Sequence, residues 1–239
     1  KRLKSNVPKP FHIINNNTLL EHSLRAFKEI KEIKKTVVVY NKKHKKYLDK
    51  LRLKNILKVK GGKTRQESTF NALKKINKMN CKFVLIHDAA RPNPSKKIIG
   101  EIINKLKKNN AVIPTIKVND ATKRAEKNLV YKNIQRKSLR FSQTPQGFNF
   151  KKLYEKHNNN INTTFDDDSA LFTADDEKVI TVNGTKSNIK ITDREDLYIF
   201  KNLKKGKTYS GIGFDIHKLI KNRKLHLGGI KINYPLGLE

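Results

Sequence analysis

Residues 84–95 read VLIHDAARPNPS: a short apolar run ends in His-Asp, passes through two alanines and turns at Arg-Pro. An apolar run with no polar alternation marks a strand buried on both faces, as in a parallel sheet covered by helices. Similar β-branched runs recur at 36–40 (TVVVY), 56–60 (ILKVK), 111–116 (AVIPTI), 179–182 (VITV) and 188–191 (NIKI), with 82–87 (KFVLIH) holding the quoted stretch. Helical patterns lie between them. In TRQESTFNALKKIN, 64–77, Phe70, Leu73 and Ile76 recur on one face. Strand-helix alternation predicts an α/β fold with a mostly parallel sheet and helices on both faces. Such sheets bind ligands beyond the carboxyl ends of their strands.

That rule makes Asp88 and Arg91 candidate site residues, a carboxylate and a guanidinium at a strand's carboxyl end. The simpler alternative is that Asp88 caps a turn and pairs with Arg91. In VKGGKTRQES, 59–68, a strand empties into two glycines before a helix start, so backbone N–H groups there can face a base or a phosphate. SQTPQGF, 142–148, offers a hydroxyl fixed before a proline. SNIKITDREDL, 187–197, sets Lys190 in an expected strand, where an inward cation is costly unless an anion awaits it. RLKSNVPKPF, 2–11, places Arg2 and Lys9 on either side of a short loop.

The net charge of +33 invites a nucleic-acid reading. The lysines, however, are spread over every segment, there is no Trp, and neither a zinc-finger nor an RNA-recognition signature is present. The charge reads as solvated surface that also attracts anionic small substrates. No apolar run approaches the ~20 residues of a membrane span, and the basic N-terminus lacks the apolar stretch of a secretory signal. The single cysteine, Cys81, excludes an internal disulfide and fits a cytoplasmic location.

Two regions break the rhythm. Residues 119–140 form a polar excursion read as a hairpin arm reaching towards a partner. Residues 204–208, KKGKT, read as a linker. Beyond it, Asp215 and His217 stand one residue apart in an apolar, glycine-broken stretch. Asp-x-His in a strand puts two metal ligands on one face, but zinc asks for at least three protein ligands.

In this order, the segments RLKSNVPKPF, LLEHSLRAF, GGKTRQES, HDAARP, TPQGF, DDSAL and NIKIT resemble the 2-C-methyl-D-erythritol 4-phosphate cytidylyltransferases of non-mevalonate isoprenoid biosynthesis, over residues 2 to about 203. The resemblance implies a Rossmann-like sheet and transfer of CMP from CTP to 2-C-methyl-D-erythritol 4-phosphate with Mg²⁺, in a homodimer completed by the protruding 119–140 arm. It implies catalytic roles for Arg2, Lys9 and Lys190 and nucleotide contacts from Gly62, Arg65, Ser68, Asp88 and Arg91. Arg136, Thr144 and Lys190 would grip the methylerythritol phosphate, Arg136 from the neighbouring subunit. Residues 209–239 resemble the start of the 2-C-methyl-D-erythritol 2,4-cyclodiphosphate synthases, a second α/β domain fused behind the transferase in some bacteria. That likeness implies that Asp215 and His217 ligate Zn²⁺ or another divalent metal, with the third ligand, a His, expected beyond Glu239.

The sequence departs from the transferase pattern in three places. The family opens with a strand and Ala-Ala-Gly-x-Gly-x-Arg, and this sequence begins one residue before that Arg. Pro8-Lys9-Pro10 replaces Pro-Lys-Gln, and Lys63 stands where some relatives carry Asp. Little CTP affinity, negligible transfer and no tight zinc binding are therefore expected of these 239 residues alone. The competing readings are another sugar-phosphate nucleotidyltransferase, or a non-enzymatic basic module that binds nucleic acid.

Overall fold

The computed structural model describes residues 6–203, 211, 214 and 216–239. Arg2, Asp215 and the expected linker 204–208 lie outside the described residues. The chain divides into two units, Lys1–Lys204 and Lys205–Glu239.

In the first unit a short hairpin, β1 (Ile13–Ile14) and β2 (Asn17–Thr18), leads into α1 (Leu19–Lys28). Thr18 starts that helix because its Oγ1 accepts from the Glu21 N–H while the Glu21 carboxylate accepts from the Thr18 N–H, so two otherwise unpaired donors are satisfied. Next come β3 (Thr36–Tyr40), α2 (Lys45–Lys50), β4 (Ile56–Lys60), α3 (Arg65–Ile76), β5 (Phe83–Ile86), α4 (Lys96–Leu106) and β6 (Ala111–Lys117). The excursion at 119–140 contains β7 (Thr122–Glu126) and β8 (Leu129–Ile134), an antiparallel hairpin with a bulge at Arg124/Ala125. After it come β9 (Arg140–Ser142), β10 (Gln146–Asn149), α5 (Phe150–Asn159), α6 (Ala170–Thr173), β11 (Ile180–Asn183) and α7 (Arg194–Leu203).

The main sheet has the order β11-β6-β10-β5, with β9 on β6. β11 runs parallel to β6, while β10 runs antiparallel to both β6 and β5. β5, β6 and β11 therefore share one direction, as do β3 and β4 in their own parallel pair, and β10 is the reversed strand of an α/β, Rossmann-like fold. Alternation along β5 divides its side chains between two layers. Val84 and Ile86 pack with Leu73 of α3, Leu153 of α5 and Phe172 of α6. Phe83 and Leu85 pack with Ile98, Ile102 and Leu106 of α4 on the opposite face. Helices thus cover both faces.

Between β3 and β5 lies a largely apolar cavity of about 710 Å³, walled by Val37, Val38, Leu85 and Ile86 and floored by helix residues such as Leu24 and Leu73. Among the described residues no strand joins the β3–β4 pair to the main sheet.

One expectation is corrected. Residues 188–191 are not a strand: the segment is irregular, and it is pinned by the Ile191 N–H donating to the Ala90 carbonyl at 2.8 Å. Within 142–148, residues from Gln146 onward form β10 in the middle of the sheet. Gly147 is required there because a Cβ would lie 2.5 Å from Ile102 Cγ2 and 2.7 Å from Leu106 Cδ1.

The second unit holds two antiparallel pairs among its described residues, β12 (Leu219–Lys221) with β15 (Leu236–Leu238) and β13 (Leu225–Leu227) with β14 (Ile230–Ile232). Gly228 and Gly229, at φ +58° and +81°, make the two-residue turn between β13 and β14, where right-handed strand twist demands positive φ at both positions.

Candidate active site

β5 ends at Ile86, and its backbone carries Asp88 out beyond the sheet. The Asp88 carboxylate accepts from the Lys190 ammonium, Oδ2 to Nζ at 2.9 Å, and its Oδ1 lies 3.9 Å from Arg65 Nε. Burial raises the Asp88 pKa, but the hydrogen bond and charge of Lys190, helped by Arg65, outweigh it and hold the carboxyl below the ordinary range. Lys190 reaches this position because its neighbour Ile191 is fully buried with Ile14, Leu19 and Phe200, which turns the intervening side chain outward. The anion that an inward lysine needed is therefore Asp88, and the lysine sits half-exposed on a loop, not inside a strand. Lys9 adjoins the same segment, its ammonium donating to the Ile191 carbonyl at 3.0 Å.

Arg65 stands at the first turn of α3, which Thr64 caps by accepting from the Glu67 N–H. Its guanidinium Nη2 donates to Asp168 Oδ2 at 2.7 Å. Burial lowers the Arg65 pKa, and the charges of Asp168 and Asp88 more than restore it. Asp168 is itself buried, and its Oδ1 accepts from His157 Nε2 at 3.0 Å. The glycine turn before α3 differs from its expected form. The Gly61 N–H donates to the Tyr40 carbonyl, the Gly62 N–H to Ser68 Oγ at 3.0 Å, and the Lys63 N–H to Glu67 Oε2 at 2.7 Å. These amides shape the turn and are not available to a ligand. Gly62 has no room for a side chain, since a Cβ would lie 2.7 Å from that of Glu67.

Among the described residues the Arg91 guanidinium makes no ion pair with the Asp88 carboxylate, although the Arg91 N–H donates to the Asp88 carbonyl at 2.8 Å. Its Nη1 donates to the Asn188 carbonyl at 2.7 Å and its Nη2 to the Ser142 carbonyl at 3.3 Å, and burial lowers its pKa. Arg91 therefore ties three loops into one wall. Gln143 and Asn188 complete the tie, Gln143 Nε2 donating to the Thr185 carbonyl and Asn188 Nδ2 to the Thr144 carbonyl, both at 2.9 Å. Thr144 lies within this wall and is buried. His87 Nε2 lies 2.8 Å from the Arg91 carbonyl and must donate to it, so Nδ1 is the acceptor that takes the Thr144 hydroxyl hydrogen at 3.0 Å. Thr144 Oγ1 in turn accepts from the Asp88 N–H at 3.1 Å. In this arrangement Thr144 has one lone pair left and no hydrogen to offer a phosphate. Burial depresses the His87 pKa to about 4, which keeps the imidazole neutral.

Lys9, Arg65, Ser68, Asp88, Arg91, Thr144 and Lys190 are thus joined, directly or through the backbone, around the end of β5. Arg136 is not among them. It donates to the Asn119 carbonyl at the base of the arm and lines a notch with Lys117 and Arg140, with no ion pair to the Asp88 cluster among the described residues. His217 lies in the second unit, where its expected partner Asp215 is outside the described residues. Sequence reasoning missed Asp168, His157, His87, Gln143 and Asn188. The segment DDSAL that holds Asp168 was legible only as part of a resemblance.

No group of three or more His, Cys, Asp or Glu side chains converges among the described residues, so no all-protein metal cage exists there. Asp88 suits a different arrangement. Mg²⁺ is commonly held by one or two carboxylates together with substrate phosphates, and Asp88 Oδ1 accepts no hydrogen bond from the described residues.

The end of β5 thus carries a row of alternating cations and carboxylates on an α/β sheet. The family model "IspD: 2-C-methyl-D-erythritol 4-phosphate cytidylyltransferase" matches residues 1–203, and the chain belongs to that family. It is 46% identical over 237 residues to the bifunctional enzyme IspD/IspF of Pelagibacter ubique, covering 99% of this chain and 62% of that one. It is 33% identical over 206 residues to the 2-C-methyl-D-erythritol 4-phosphate cytidylyltransferase of Bacillus mycoides, covering 83% and 90%. Among solved structures, the bifunctional IspDF of Campylobacter jejuni superposes with a TM-score of 0.72 at 31% identity, over all of this chain and 61% of that one. The cytidylyltransferase of Thermus thermophilus also gives a TM-score of 0.72, at 28% identity over 82% and 93%. The chain thus spans less than two-thirds of the length of the bifunctional relatives it matches.

Proposed function

We propose that the end of β5 is the transfer centre of a cytidylyltransferase that moves CMP from CTP to 2-C-methyl-D-erythritol 4-phosphate. The observation that carries this reading is the row Arg65, Asp88, Lys190 inside the stretch matched by the family model. A phosphate oxygen of the methylerythritol phosphate attacks the α-phosphorus of CTP. The bond to the bridging oxygen breaks, and pyrophosphate leaves with its electron pair. Charge builds on the non-bridging oxygens, so cations fixed beforehand lower the barrier.

Lys190 and Arg65 are two such cations, each already oriented by a carboxylate. Lys9 and Arg2 complete the set around the triphosphate. Gly62 and Ser68 shape the turn that meets the base, and Arg91 braces the wall behind Asp88. Thr144 holds the substrate-side loop, and Arg136 reaches the methylerythritol phosphate from a second copy across a homodimer built on the 119–140 arm. When bound, Mg²⁺ would neutralise charge on the triphosphate, and Asp88 Oδ1 is the protein atom suited to it. Residues 1–203 form the transferase domain, 204–208 the linker and 209–239 the start of a cyclodiphosphate synthase domain. In the last, Asp215 and His217 would ligate Zn²⁺ or another divalent ion.

The test supplies the chain with an Ala-Ala-Gly-x-Gly-x-Arg loop and its strand, then follows pyrophosphate by ³¹P NMR across a panel of nucleotides and sugar phosphates. Release confined to CTP with 2-C-methyl-D-erythritol 4-phosphate is expected. Equal release with other sugar phosphates would favour a different nucleotidyltransferase.

A further inference from the structure

Arg65 lies between two carboxylates and favours one of them. Its Nη2 is 2.7 Å from Asp168 Oδ2, whereas its Nε is 3.9 Å from Asp88 Oδ1, too far for a hydrogen bond. Burial explains the choice. The Asp168 side chain is 1% exposed and that of Asp88 21%, so the same charge separation is worth more at Asp168. Asp168 cannot follow the arginine towards solvent, because its second oxygen is held by His157, which is wholly buried and stacked on Phe70 with ring centroids 5.8 Å apart and planes 8° apart. At Asp88, Lys190 takes Oδ2 and leaves Oδ1 without a donor among the described residues.

We infer that Asp168, backed by His157, is a positioning residue: it draws Arg65 away from Asp88 and so keeps Asp88 Oδ1 open to the divalent cation that accompanies a nucleoside triphosphate. Without this pull Arg65 would close on Asp88 and compete with the metal for the oxygen. The inference rests on the proposed transfer centre for its metal and on the geometry alone for the placement of Arg65.

The test uses Asp168→Asn, Asp88→Asn and the double variant Asp168→Asn/Arg65→Gln. Crystal structures without nucleotide report the placement directly. In Asp168→Asn the arginine is expected to move into hydrogen-bond contact with Asp88. In Asp88→Asn, a milder change at a partly exposed residue, it is expected to stay on Asp168. An arginine that holds its position in the first variant, or leaves Asp168 in the second, overturns the inference. In the transfer assay the apparent Mg²⁺ requirement of Asp168→Asn should rise on the order of tenfold, as is typical when support for a metal-binding carboxylate is lost. In the double variant the transfer rate should be lower, since a cation of the transfer centre is lost, but the Mg²⁺ requirement should fall back towards the original because the competing cation is gone. A purely structural defect would not be rescued in that way. Absence of transfer in every form, with the arginine moving as expected, would sink the proposed function and leave the positioning role standing.

Discussion

His87 is neutral because the sheet buries it, and its neutrality sets the direction of two hydrogen bonds in the wall. Its pKa of about 4 in the folded chain compares with 6.5 for the free side chain. Below 6.5 the unfolded chain binds a proton that the native chain refuses, so the stabilisation is complete above pH 6.5 and is lost as pH falls to about 4. The shift corresponds to roughly 3 kcal/mol. Urea unfolding between pH 7 and 4 should show this loss, and His87→Gln, which keeps a donor and an acceptor, should flatten that part of the profile. An unchanged slope in the variant would contradict the assignment. Neither His87 nor Asp168 was legible as a site residue. Their partners lie far off in the chain, Thr144 57 residues from His87 and Arg65 103 from Asp168, and only folding brings them together. Asp88 and Lys190 were legible because strand-end position and an unpaired inward cation are local signals.

The strands with continuous apolar runs were readable because burial on both faces leaves a dense signature. β10 was not, since Pro145 and Gly147 erase that signature, and the glycine is there for a packing reason: α4 crosses directly over it. Gly147→Ala should therefore overpack the contact with Ile102 and Leu106 and cost about 1–3 kcal/mol in urea denaturation. A neutral effect would mean that α4 can shift freely, against its close packing on β6 and β11. The opposite error arose at 188–191. There Ile189 and Ile191 pack towards α7 with Lys190 turned away, which copies the alternation of a strand without its ladder. Side-chain alternation records which face is buried; it does not record hydrogen bonding.

At the scale of the whole molecule, the arm exposes Leu129, Val130 and Tyr131 at 69%, 62% and 55%. Three adjacent apolar residues at this exposure suit a contact with a second copy. The proposed homodimer predicts a dimer in light scattering that becomes a monomer, with unchanged circular dichroism, when Leu129 and Val130 are replaced by Glu. A dimer that survives would place the interface elsewhere. The high positive charge, spread over both units, suits anionic ligands without specifying one, so the central claim rests on the end of β5. The most direct measurement of that claim is ³¹P NMR of pyrophosphate release from CTP and 2-C-methyl-D-erythritol 4-phosphate, comparing the loop-supplied chain with its Lys190→Ala form. Loss of transfer by on the order of a hundredfold or more, as for other preorganised charge stabilisers, with unfolding little changed, is the predicted result. Transfer at the original rate in Lys190→Ala would contradict the account.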